Sequence, residues 1–135
     1  MTHGAFRVPL PVNEPVKAYG PKSPERAALQ RELGAQSARE LDIPLLIGGK
    51  EVRTGRTEPI TMPHDKGHVL GRYHLAGPAE VQAAIEAAEA ARPAWESLPW
   101  EERAAVFLRA AELLTTTHRD RVNASTMLGQ SKTAH

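Results

Sequence analysis

The sequence contains no cysteine. That excludes a disulfide framework, a thiolate-ligated metal site and any cysteine nucleophile supplied by these residues. No apolar segment approaches the ~20 residues that a membrane-spanning helix needs, so no membrane span is expected. Charge of one sign is also missing. Seventeen Lys and Arg stand against 16 Asp and Glu, a formal net charge of +1, and the two signs are interspersed without a basic run. Nothing electrostatic therefore points to nucleic acid or to an anionic membrane as a partner. Aromatic residues are sparse at 4%. The N-terminus has no apolar signal core and, although short of acids, is neither Arg-rich nor Ser-rich enough for a transit peptide, which makes a cytoplasmic location the default expectation. What remains, 135 residues with 41% hydrophobic content, is compatible with one globular domain.

The most informative stretch runs from Gly77 to Leu114. Val81, Ala84, Ile85, Ala88 and Ala91 recur at steps of three and four, with Glu80, Gln82, Glu86 and Glu89 mostly on the opposite face. The pattern predicts an amphipathic helix over 78–92, opened by Pro78 behind Gly77 and ended or kinked at Pro93, whose ring clashes with the Glu89 carbonyl. A second helix over 99–117 has Glu101 and Glu102 in its first turn and an apolar stripe of Ala104, Phe107, Leu108, Ala111 and Leu114. A third is predicted over 119–128, with Gly129 as its end. Each large apolar side chain here adds ~1.5–3 kcal/mol if fully buried. Ordering the backbone costs ~1–2 kcal/mol per residue, so the helix pair cannot stand alone and its alanine-rich stripe needs a surface to lie on.

Upstream, residues 1–22 hold Pro9, Pro11, Pro15 and Pro21 without periodicity and are expected to form an extended arm, lying on something else or disordered. Ser23, Pro24 and Glu25 combine a hydroxyl cap, a first-turn proline and a first-turn acid, which predicts a helix over 24–41 that Gly34 is able to interrupt. From residue 43 to 76 the pattern is that of strands. Leu45-Leu46-Ile47 and Glu51-Val52-Arg53 flank Gly48-Gly49-Lys50 as a hairpin; Thr57–Met62 is a strand whose Pro59 belongs on an edge; Asp65-Lys66-Gly67 is expected as a turn before a strand over His68–Leu75. Together these make a small antiparallel sheet.

Several groups invite a chemical reading. His64, Asp65, His68 and His74 lie close in sequence, but a turn separates the first pair, no cysteine is at hand and no second pair completes a site, so solvated turn and strand histidines are the simpler account. Gly129-Gln130-Ser131-Lys132-Thr133 lacks the glycine before the lysine and the preceding strand of a phosphate-binding loop, and reads instead as a helix end followed by the start of another helix. Asn123-Ala124-Ser125 fits a glycosylation pattern but falls in a predicted helix. Glu101 and Glu102 are adjacent on a helix and face different directions, so they make no acid pair. Trp95 and Trp100 flank the interhelix bend, where packing is a better account than a ligand clamp. No residue is assigned a catalytic, cofactor-binding or metal-binding role.

The order of these motifs resembles the N-terminal part of the aldehyde dehydrogenase superfamily. The residues that carry the resemblance are Ile47-Gly48-Gly49 with Val52, Ala87 to Trp95, Glu102-Arg103-Ala104, Leu108, Ala111 and Leu114. Asn13-Glu14-Pro15, Tyr19, Ser23 to Arg26 and Thr126 to Thr133 are similar to the 1-pyrroline-5-carboxylate dehydrogenase branch, which usually has Gly where Lys22 stands. The resemblance implies an α/β fold, α+β within these residues, whose helices begin a Rossmann-like cofactor domain, with residues 23–135 an incomplete part of it. It also implies NAD-dependent oxidation of L-glutamate γ-semialdehyde to glutamate, by a cysteine thiolate and a water-activating glutamate. Neither matches any residue here. The chain is thus expected to be a catalytically incomplete N-terminal fragment that binds no cofactor alone, its partner being the remainder of the dehydrogenase or a homologous subunit. A short non-catalytic module that assembles with a full-length dehydrogenase is the alternative.

Overall fold

A computed structural model describes residues 4–5 and 7–134. Its elements in chain order are α1 (Pro24–Ser37), β1 (Leu41–Ile43), β2 (Leu45–Ile47), β3 (Lys50–Val52), β4 (Thr57–Met62), β5 (Asp65–His74), α2 (Pro78–Ser97), α3 (Trp100–Thr115) and α4 (Arg119–Gln130). The mixed α/β class expected of the sequence is what forms.

The arm has no regular secondary structure over its described residues; residues 1–3 and 6 lie outside them. It ends in a built anchor. The Arg119 guanidinium donates to the Pro15 carbonyl at 2.8 Å, Asn123 Nδ2 donates to the Tyr19 hydroxyl at 3.1 Å, and the Tyr19 ring is buried with Leu29 of α1 and Ala124 of α4. Ser23 N donates to the Gly20 carbonyl at 3.1 Å, closing a turn with Pro21 and Lys22 at its centre. Lys22 sits there at φ 65. A left-handed conformation costs a non-glycine residue roughly 1–2 kcal/mol, which supplies a physical reason for glycine at this position.

Helix α1 starts as its sequence signals, with Ser23 Oγ accepting from Arg26 N at 3.3 Å and Pro24 in the first turn. It ends at Ser37 rather than at 41, and Gly34 does not interrupt it. Residues 41–43 leave the helix because they find a strand partner: β1 pairs in parallel with β5, Leu41 opposite Gly71. The strands therefore do not form one antiparallel sheet. They form a three-stranded sheet in the order β1-β5-β4 and a separate β2–β3 hairpin. The hairpin turn is Gly48-Gly49, at φ 57 and 76, as its glycine pair requires. Strand β4 spans the predicted residues and places Pro59 on an edge. The turn into β5 is Pro63-His64, two residues earlier than expected, and Asp65 to Gly67 belong to the strand.

Pro93 does not end α2, which continues to Ser97. Proline inside a helix costs about 3 kcal/mol, but the last turn has its own supports. Arg92 Nε meets Glu96 Oε1 at 2.6 Å, Ser97 Oγ donates to the Ala94 carbonyl at 2.8 Å, and the Trp95 ring meets Phe107 edge to face at 6.4 Å. The stop comes from Pro99, which forces Leu98 into an extended conformation at ψ 137. Helix α3 runs from Trp100 to Thr115, shorter than predicted at both ends. Helix α4 passes through Gly129 to Gln130, and Ser131 takes the left-handed cap at φ 54. No second helix starts there within the described residues, since residues 131–134 have no regular structure.

Gly71 explains the parallel pairing. A Cβ at this position would meet the Leu41 carbonyl oxygen at 2.6 Å, so only glycine admits the β1 backbone so close. Gly71→Ala is expected to push β1 off the sheet and to destabilise the protein by about 1–3 kcal/mol, the usual cost of overpacking. Chemical denaturation checks this, and an unchanged midpoint would refute the close-approach account.

Candidate functional site

The four clustered residues His64, Asp65, His68 and His74 are not brought together as one site. His64 Nδ1 lies 2.8 Å from Ser131 Oγ, His68 Nε2 lies 2.8 Å from the Ser37 carbonyl at the end of α1, and His74 faces the opposite end of its strand. Among the described residues, no group of three or more His, Asp or Glu is placed to hold a metal ion.

The described site with the densest polar geometry is centred on His74, only 7% exposed. Its Nδ1 accepts from the backbone N–H of Thr54 at 3.1 Å and of Gly55 at 3.2 Å. Its Nε2 lies 3.0 Å from Asp42 Oδ1. Two donors converging on Nδ1 leave that nitrogen unprotonated, which assigns the ring proton to Nε2 and makes Asp42 its acceptor. Asp42 in turn accepts from Arg53 Nε at 2.7 Å, and Arg53 Nη1 donates to Glu51 Oε2 at 2.7 Å. The Arg53 hydrogen bond holds the Asp42 carboxyl below its ordinary value, with a smaller contribution from His74. With both ring nitrogens engaged in hydrogen bonds, His74 offers no free lone pair to a metal in this arrangement. The arrangement organises backbone. Sequence reading grouped His74 with its neighbours and missed Asp42 and Arg53, because a partner 32 residues away leaves no mark in spacing.

The helix starts of the described residues are taken up by their own acids. A pyrophosphate needs free N–H groups at a helix start and no competing negative charge. Each helix here carries an acid in its first turn: Glu25, Glu80, Glu101 with Glu102, and Asp120. At α2 the Gly77 N–H is given to Glu80 Oε2 at 2.7 Å, and the space a side chain on Gly77 would take is filled by Arg56 and Glu80. Lys132 follows the helix end of α4 rather than preceding a helix, so the Gly129–Thr133 stretch is no phosphate cradle. Asn123 is committed to Tyr19, as noted above, within α4.

The remaining feature is a surface. No residue of α2 or α3 is buried. Val81, Ile85, Trp95, Val106, Phe107, Leu108 and Leu114 are all exposed, Phe107 at 67%. Trp95 and Trp100 flank the bend as expected but remain 40% and 50% exposed, so the stripe is uncovered at its centre as well as its ends. Contiguous apolar surface of this kind marks a face that packs on something else.

Comparison with known proteins agrees with that surface being internal to a larger fold. The model of the aldehyde dehydrogenase family matches residues 51–135. The chain is 43% identical over 128 residues to the delta-1-pyrroline-5-carboxylate dehydrogenase of Agaricus bisporus, covering 94% of this chain and 23% of that one. The mitochondrial enzyme of the same name from Dictyostelium discoideum is 42% identical, with 98% and 24% covered. The crystal structure of the Mycobacterium tuberculosis delta-pyrroline-5-carboxylate dehydrogenase bound with NAD superposes with a TM-score of 0.92 at 43% identity, over 96% of this chain and 24% of that one. This chain belongs to the aldehyde dehydrogenase family. It spans about a quarter of the length of the relatives it matches.

Two outcomes follow from this geometry. The Asp42 carboxyl titrates lower in the folded than in the unfolded chain, so its support for folding is complete above the unfolded value of 3.8 and disappears as pH falls through the lowered folded value. Arg53→Gln is expected to move the Asp42 titration back up towards 3.8, read by carboxyl carbon chemical shift; an unmoved titration would contradict the assigned cause. The 135 residues expressed alone are expected to aggregate or to bind a hydrophobic dye through the α2–α3 face. A monodisperse monomer with a sharp thermal transition and no dye binding would refute this.

Proposed function

We propose that these residues form the N-terminal part of an NAD-dependent 1-pyrroline-5-carboxylate dehydrogenase, which oxidises L-glutamate γ-semialdehyde to glutamate in proline degradation. The observation that carries the reading is 43% identity maintained over 94% of the chain to a relative of that name. Residues 1–22 act as an arm, and residues 23–135 as an incomplete part of the dehydrogenase domain. Their role in the reaction is architectural. Burial of the α2–α3 stripe beneath the rest of the domain provides the energy that orders it, and the His74 network sets the path from the hairpin into α2. NAD, held elsewhere in the family fold, supplies the hydride acceptor; the residues here bind none of it. The nucleophile likewise lies outside this stretch, since it contains no cysteine. A cytoplasmic location goes with this reading, although the Dictyostelium relative is named mitochondrial.

The exposed α2–α3 face also favours a second reading, a non-catalytic module that assembles with a full-length dehydrogenase. Intact mass of the native product in its source cell separates the two. A species far heavier than 14.7 kDa supports the first reading, and a sole species at that mass supports the second.

The direct test is a graft. Residues 1–135 replace the matching quarter of the Mycobacterium tuberculosis enzyme. The chimera is expected to form NADH from glutamate semialdehyde within about tenfold of the parent rate, a loss of no more than ~1.4 kcal/mol. A chimera that folds and assembles as the parent does yet forms no NADH overturns the reading.

A further inference from the structure

His74 is the buried polar residue of the described chain, and the dehydrogenase reading assigns it no chemistry. Its ring joins three segments that are distant in sequence. Nε2 reaches Asp42 on β1, Nδ1 holds the amides of Thr54 and Gly55 in the loop after β3, and the ring itself stands on β5. The loop is tied to the end of β5 a second time, by Thr54 Oγ1 donating to the Leu75 carbonyl at 3.0 Å and Leu75 N donating to the Arg56 carbonyl at 2.8 Å. Arg56 then reaches α2, with Nη2 3.9 Å from Glu80 Oε2. One neutral imidazole therefore stands at the start of a path from β1 to the beginning of α2.

The two ring nitrogens respond oppositely to a proton. The Nε2–H bond to Asp42 persists in the imidazolium and becomes an ion pair. At Nδ1, a new N–H would point at two backbone N–H donors that cannot turn away without moving the loop. The charged groups around the ring are Asp42 on β1, Arg53 and Glu51 beyond it on the hairpin side, Arg56 in the loop and Glu80 on α2. Asp42 is half-exposed and already shared with Arg53, so its attraction for the imidazolium is a small, screened gain set against the loss of both amide bonds.

We propose that His74 is a proton-operated latch: protonation at Nδ1 expels the Thr54 and Gly55 amides and frees the 53–56 loop, while the ring stays paired with Asp42. Release thus occurs on acidification and is local to the loop and its link to α2. The device does not depend on the identity of the reaction, so it stands or falls separately from the dehydrogenase reading.

Hydrogen exchange read by mass spectrometry on the protein at its natural length tests it, at about pH 7.5 and about pH 5.5. After correction for intrinsic rates, protection of the 53–57 segment is expected to fall by roughly tenfold or more at the lower pH, the effect of losing two hydrogen bonds, while α1 is unchanged. His74→Asn places a non-titrating acceptor where Nδ1 stands, and is expected to hold the loop at both pH values. A wild-type loop whose protection does not respond to pH overturns the proposal, as does an Asn variant that keeps the wild-type response. Should that variant fail to fold, the His74 ring nitrogen shifts decide instead. A titration midpoint coincident with the loss of protection supports the latch, and a separate midpoint refutes it.

Discussion

Strand β5 has hydrogen-bonded neighbours on both edges, and the placement of β1, of β4 and of the start of α2 follows from what it carries. Gly71 removes the side chain that would otherwise meet the Leu41 carbonyl, and so lets a three-residue strand with few bonds of its own lie alongside in parallel. Three positions later, His74 takes the amides of the loop that follows the β2–β3 hairpin. Between them these residues determine where the chain turns from the sheet into α2. The surface ion pairs around them, such as Arg72 with Glu40, are half-exposed and contribute about 0–1 kcal/mol each. Steric room at one glycine and satisfied donors at one histidine outweigh them.

The helices divide into two kinds by what they cover. Helices α1 and α4 pack on each other around Leu29 and Ala124, closed by Tyr19 from the arm and laced by Gln36 to the Arg121 carbonyl at 3.0 Å and Ser125 to Gln36 at 2.8 Å. Helices α2 and α3 are amphipathic and have no fully buried residue, their large apolar side chains being mostly exposed. An apolar side chain brings its ~1.5–3 kcal/mol only when water is removed from it, so regular helices with bare stripes are elements shaped by a partner surface. The chain belongs to the aldehyde dehydrogenase family and spans about a quarter of its relatives' length, and a stripe left bare over that length is consistent with a surface that packs on further chain.

Periodic features were legible in the sequence, and conditional ones were not. The Ser23-Pro24 helix start, the Gly48-Gly49 hairpin, the edge position of Pro59 and the two apolar stripes each depend on residues within a few positions, and each forms where local chemistry puts it. Element ends depended on competitors further away. Residues 38–41 leave the helical pattern because β5 offers Leu41 a backbone partner, a pairing 30 residues distant. Pro93 does not end the helix, because its rule concerns one lost bond, whereas the turn beyond it is held by Arg92 with Glu96 and by Trp95 against Phe107. Gly129 does not end its helix either: glycine tolerates a left-handed cap but does not impose one, and Ser131 takes it instead.

The site was the least legible part, for a related reason. Histidines 64, 68 and 74 invite comparison because they are close in sequence, yet a strand separates their environments and each ring is hydrogen-bonded to a different segment of the chain. Chemistry in an α/β fold is assembled from element ends that the chain visits at different times, so spacing in sequence is a poor guide to which side chains meet. The first-turn acids make the same point from the negative side. Glu25, Glu80, Glu101, Glu102 and Asp120 stabilise their own helices through the backbone dipole, and the charge that does so repels the phosphates a dinucleotide would bring. A helix start used for capping is withdrawn from anion binding. The four helix starts of this stretch are therefore each occupied by an acid that supports its own helix.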